Sequence, residues 1–207
     1  MNGLSVKLKT LARLLEYPAG KFETEMAALC RVAATPALNC IVVAMSALTP
    51  AEREELYTAT FDIPPACVPY VSLHLFGEEN FKRGELMAAL LGRYRQAGFD
   101  PAGELPDHLA VLLRYAAQAD EAERRELVEF CLLGPAQKMI AALPDTNPYR
   151  TVLEAVRETL QAAYPGLKPA LSPLEQMQNS GAGCALVSSG CHCGAVAQEE
   201  KDTVSIH

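Results

Sequence analysis

The chain has 207 residues, half of them hydrophobic and 21% charged, with seven cysteines and a formal net charge of −7. That profile fits a soluble globular protein able to bury a core without disulfide or metal support; its overall charge lacks the attraction for nucleic acid, and no run of Lys and Arg suggests a local basic patch. No stretch approaches the length of an apolar membrane span, and Lys7 and Lys9 interrupt the apolar pattern of the first ten residues, so neither a span nor a secretory signal is expected. The expected place is the cytoplasm, where Cys30, Cys40, Cys67 and Cys131, each alone in an apolar stretch, read as small buried hydrophobes.

Leu4, Leu8, Leu11 and Leu15 form the stripe of an amphipathic helix that Tyr17-Pro18-Ala19-Gly20 ends. Phe22, Met26, Leu29 and Cys30 make a second stripe. Thr35-Pro36 opens a third, carrying Leu38, Ile41, Val42 and Met45. Thr49-Pro50-Ala51-Glu52 has capping-box spacing and predicts a helix running to Phe61, where Ile63-Pro64-Pro65 breaks the chain. A segment from Pro69 to Phe76 precedes a helix over about 81–96, with Gly98 as its C-cap. Leu105-Pro106-Asp107 opens the next, faced by Leu109, Leu112, Leu113 and Ala116. Glu121–Leu133 follows, and Gly134-Pro135 either kinks it or starts a new helix through Ala142. Asn147-Pro148 caps the last, with Val152, Leu153, Val156 and Leu160 on its apolar face. No period-2 strand is found, so the fold class is all-α: one compact multi-helix domain over residues 1–164. Closely spaced Pro and Gly then lead into Gly, Ser and Ala, and residues 165–207 read as a flexible, disordered tail.

Catalytic signatures are missing. There is no phosphate-binding glycine loop, no paired-histidine zinc motif and no nucleophile elbow, and the expectation is a protein that is not an enzyme and holds no cofactor. Three patches stand out. The first, Leu56 to Phe76, gathers Tyr57, Phe61, Tyr70, His74 and Phe76 around the proline break; it reads either as a corner packed by aromatics or as the mouth of an apolar groove for a partner's helix. The second is Glu104-Leu105-Pro106-Asp107-His108-Leu109. Acids and Pro in a first turn suit plain helix capping, which accounts for Glu104, Pro106 and Asp107 better than for His108; a His here also suits pairing with Asp62 or Asp107. In the third, Cys184 and Cys191-His192-Cys193 offer soft-metal ligands, but Cys-x-Cys is tighter than the usual zinc spacing and incidental thiols explain it more simply.

Three blocks carry a resemblance: Tyr57-Thr58-Ala59-Thr60-Phe61-Asp62; Arg83-Gly84 leading to Tyr94-Arg95-Gln96-Ala97-Gly98; and Glu104 to Leu109. With Leu11-Ala12-Arg13-Leu14-Leu15-Glu16-Tyr17-Pro18 and Asn147-Pro148-Tyr149, they make residues 8–164 similar to the nitrate reductase delta-subunit family, the NarJ-type molybdenum cofactor assembly chaperones. The resemblance implies an all-helical chaperone, related to the maturation chaperones of trimethylamine-oxide and dimethyl-sulfoxide reductases. Such a protein binds the apo catalytic subunit of a molybdoenzyme, often through its N-terminal segment. It holds the client open for cofactor insertion and is absent from the finished enzyme. The sequence departs from the family at Gly77-Glu78-Glu79-Asn80-Phe81, where Gly-Asp followed by Arg is common.

The expected mechanism is capture of a client peptide as a helix near Pro64-Pro65, with Tyr57, Phe61, Tyr70 and His74 as contact surface. Asp62, Arg83, Asp107 and His108 supply charged recognition or hold the groove's shape, and Gly84, Glu104 and Pro106 join them through the resembling blocks. The expected client is respiratory nitrate reductase, with another molybdoenzyme of the dimethyl-sulfoxide reductase family as the alternative. A metal-responsive regulator using the Cys-His tail is the competing class. The chain is expected as a monomer or weak dimer.

Overall fold

The computed structural model describes residues 3–18, 20, 24 and 36–179. The stripe over Phe22–Cys30 and the cysteine patch at 184–193 lie outside them. Several of the described helices start at residues that satisfy their own first turns. At α3 (Pro50–Phe61), Thr49 accepts from the Glu52 N–H while the Glu52 carboxylate accepts from the Thr49 N–H, the reciprocal cap its spacing predicts. At α9 (Pro148–Ala163), the Asn147 side chain accepts from the Tyr149 N–H, with Pro148 in the first turn.

The core forms around α6 (Leu109–Ala116), whose eight residues are buried save Arg114. Leu112 and Leu113 have no exposed surface, and truncating either to Ala would cost about 2–5 kcal/mol. Against α6 packs α1 (Gly3–Leu14), through fully buried Leu8 and Leu11, and α1 in turn meets α9. α9 also covers α2 (Pro36–Ser46) and α8 (Leu133–Ala142). On the other flank, α4 (Val71–Phe76) lies against α5 (Lys82–Gln96) and α8. Among the described residues there is no strand, and no helix is long and apolar enough to cross a membrane.

Two regions differ from what composition suggests. Gly134-Pro135 sit in the first turn of a helical segment that runs through Ala142, as expected, but what precedes it is a π turn. α7 (Glu121–Leu127) passes through a π turn at Val128–Leu132 directly into α8. Pro135 has no N–H for the Cys131 carbonyl and its ring crowds that oxygen, so a widened turn just before it relieves both problems.

The second difference lies past Tyr164. The stretch to Asn179, whose Pro and Gly content reads as tail, is tied to the domain and ends in α10 (Pro173–Asn179). Ala170 N–H donates to the Glu129 carbonyl at 3.0 Å. Ser172 and Glu175 form the same reciprocal cap as Thr49 and Glu52, and Lys138 bridges to Glu175 at 3.2 Å and to the His74 carbonyl at 2.8 Å.

Candidate functional site

The segment between α5 and α6 takes its shape from how α5 ends. Gly98, at φ +61°, turns the chain back so that its own N–H reaches the Arg95 carbonyl and Phe99 N–H reaches that of Tyr94. Phe99 then stacks on Tyr94 and Tyr115, with ring centres 4.9 and 5.3 Å away. The Tyr94 hydroxyl donates to the Pro106 carbonyl at 2.7 Å, and Arg114 Nη2 donates to that of Pro101 at 2.9 Å. Pinned in this way, residues 105–108 form a turn, closed by the His108 N–H on the Leu105 carbonyl at 3.1 Å, that lies beside Tyr70: Val71 N–H bonds the Asp107 carbonyl and Leu109 N–H that of Pro69, each at 2.9 Å.

The neighbouring side chains of this turn serve different flanks. Asp107, with no exposed surface, faces α4 and α5, where its Oδ2 accepts from the Ser72 hydroxyl at 2.5 Å and the Ser72 N–H at 3.3 Å. Ser72 stands in the first turn of α4, and Tyr70, the N-cap there, contributes no side-chain bond. Asp107 therefore caps a helix it does not belong to. Arg83 completes the network, donating from Nε to the Ser72 hydroxyl at 3.1 Å and from Nη1 to the Glu78 carbonyl at 3.0 Å.

Capping of α6 falls to His108, whose Nδ1 accepts from the Ala110 N–H at 3.2 Å. This reverses the expectation that Asp107 caps the helix opening there. An accepting Nδ1 places the neutral ring's proton on Nε2. Burial pushes the His108 pKa below the ordinary 6.5, against the opposing pull of Glu104 and Asp107. The Tyr70 ring meets the imidazole edge-on at 5.6 Å; pairing of His108 with Asp62 is not observed.

On the His108 side lies a cavity of about 350 Å³, walled by Arg13 at the end of α1 and by Glu16 and Tyr17 just after it, by Tyr57 of α3, by Glu104 and its neighbours, and by Arg114 of α6. Tyr17 and Tyr57 meet edge to face at 5.3 Å, and Glu16 bridges to Arg114 at 3.2 Å. Burial, then the nearby Glu104 carboxylate, raises the Tyr57 phenol well above its usual range, so it stays a neutral hydrogen-bonding group.

Of the residues singled out from sequence, Tyr57, Glu104 and His108 thus share one cavity, with Tyr70 behind the imidazole. Asp107 and Arg83 belong to the α4 network, and Pro106 is buried beneath. Phe61 packs into the core against Tyr149 at 4.8 Å. His74 donates from Nε2 to the Val68 carbonyl at 2.8 Å, and burial lowers its pKa. Gly84 is exposed on α5, and Asp62 is exposed at the end of α3 with the Ile63–Pro65 corner, which does not wall the cavity. Sequence reasoning passed over Arg13, Glu16, Tyr17 and Arg114 as site residues. Arg114 had a signal: it is the one charge in an otherwise apolar α6.

Comparison with known proteins gives two findings. The family model described as nitrate reductase delta subunit matches residues 19–161. Among curated proteins, the nitrate reductase molybdenum cofactor assembly chaperone NarJ of Escherichia coli K12 is 30% identical over 131 residues, 58% of this chain and 55% of that protein. The chaperone of the same name from Escherichia coli O157:H7 matches to the same extent. The match spans about half the length of these curated relatives.

Proposed function

We propose, from the premise that the chain belongs to the nitrate reductase delta subunit family, that it is an assembly chaperone for a molybdoenzyme and not an enzyme itself. Its client is the apo catalytic subunit of respiratory nitrate reductase, held through an N-terminal segment while the molybdenum cofactor is inserted, and then released in the cytoplasm. The observation that carries this reading is the cavity beside His108. It combines aromatic surface from Tyr17 and Tyr57 with polar groups from Glu104, His108, Glu16 and Arg114, the mixture that fixes a peptide's apolar anchor and its orientation. The polar groups are engaged in caps and ion pairs, which suits recognition better than proton transfer.

Release sets the affinity: a chaperone that must let go works at micromolar strength, about 8 kcal/mol. The test is co-purification of the full chain from cells that make the molybdoenzyme. The expected partner is the catalytic subunit without its cofactor, in a complex that dissipates once cofactor is supplied. Recovery only with the mature, cofactor-loaded enzyme would replace this reading with that of a permanent subunit.

A further inference from the structure

Behind the Glu16–Arg114 bridge lies a second cavity of about 360 Å³, lined by Lys9, Arg13, Glu16, Phe99, Arg114 and Gln118. Its charge is opposite to that of the molecule. Among the described residues three cations face one acid, in a chain whose formal net charge is −7. The convergence is built by the fold: Lys9 and Arg13 sit one turn apart on α1, and Arg114 comes from α6, which packs against α1. Arg114 is held in place by the Pro101 carbonyl at 2.9 Å and lies over the Phe99 ring, 5.7 Å from its centre. Glu16 lies 3.2 Å from Arg114 and 3.7 Å from Arg13, and Arg13 also donates from Nη1 to the Tyr17 carbonyl at 3.3 Å. Lys9 has no partner among the described residues.

We propose that this cavity binds a phosphate-bearing anion. A ligand entering here competes with Glu16. A carboxylate replaces one negative charge with one and gains little. A phosphate brings between one and two charges and three acceptor oxygens, enough to engage Arg114, Arg13 and Lys9 together. The volume exceeds what a single phosphate fills, so a pyrophosphate or a phosphate ester fits better than the free ion. The site shares Arg13, Glu16 and Arg114 with the first cavity, and Lys9, Phe99 and Gln118 set it apart, so a Lys9 variant reads this site and not the client cavity.

The test is calorimetric titration of the full chain with pyrophosphate and with inorganic phosphate, against acetate at matched ionic strength. Saturable binding of pyrophosphate at one site is expected, with inorganic phosphate weaker and acetate giving none. Lys9→Gln, an exposed change that leaves the fold intact, should weaken pyrophosphate binding by about tenfold, and Glu16→Gln should tighten it by removing the internal competitor. Pyrophosphate binding no better than acetate, or an affinity that neither variant moves, overturns the proposal. A melting curve for each variant separates lost binding from lost fold.

Discussion

The two flanks of the 105–108 segment divide the molecule's work between adjacent residues. On the α4–α5 flank, Asp107 is wholly buried and spends its carboxylate on Ser72, which Arg83 also grips. On the cavity flank, His108 is nearly as buried, yet its ring borders open volume and its one hydrogen bond goes to the backbone of its own helix. Equal burial thus conceals opposite duties: one residue fixes where the segment lies, the other faces whatever the cavity receives. Exposure alone does not separate the two; the destination of each hydrogen bond does.

The sharpest way to break this contrast is Asp107→Ala. It strands the Ser72 first-turn N–H in a buried site and takes away the acceptor that orients the Ser72 hydroxyl towards Arg83. Hydrogen bonds to a charged group are worth about 1.5–3 kcal/mol each, so a loss of about 3 kcal/mol in urea unfolding is expected. A mutant that melts like the parent but no longer binds client would transfer Asp107 to the recognition flank. A smaller effect is expected from a chain ending at Tyr164, which loses the Ser172–Glu175 cap and the Lys138 bridge behind α4. Its midpoint should fall by about 4–8 °C while peptide affinity is kept; an unchanged melt would show that the 165–179 segment contributes nothing.

The smallest effect on folding should come from His108→Gln, which costs about 1 kcal/mol of capping but should weaken the client's N-terminal peptide about tenfold by calorimetry. Unaltered affinity in the folded variant would take His108 off the recognition surface. The variant also sharpens the electrostatics. Burial holds the folded His108 pKa below the 6.5 of the unfolded chain, so the neutral ring's stability is fully present above pH 6.5 and declines as pH falls through the depressed value. Without His108 that acid-side decline should be shallower, leaving the part due to His74, whose pKa moves the same way.

Helix boundaries were largely legible because they depend on local chemistry. Thr49 with Glu52, Asn147 with Pro148, and Gly98 each satisfy backbone groups within a few residues of themselves. Ser172-Pro173-Leu174-Glu175 carries the same signal as Thr49-Pro50-Ala51-Glu52, but the surrounding Pro and Gly obscured it. The site was half legible. Its composition pointed to Tyr57, Glu104 and His108. The division between Asp107 and His108 depended on Ser72, 35 residues away in the chain, and on the pairing of the turn with Tyr70. Glu16 and Arg114 joined the site only through the docking of α1 on α6, which no spacing within either helix announces.

The borrowed cap on α4 has a dynamic consequence. Six residues are too few for a helix to persist by itself, and nothing in its own sequence caps its start. α4 is therefore intact only while Asp107 is docked, so the amides of α4 and of residues 107–109 should exchange with deuterium as a single opening unit. A client that tugs at the cavity wall would then loosen a helix on the opposite flank, which deuterium exchange of α4 with and without client peptide would show.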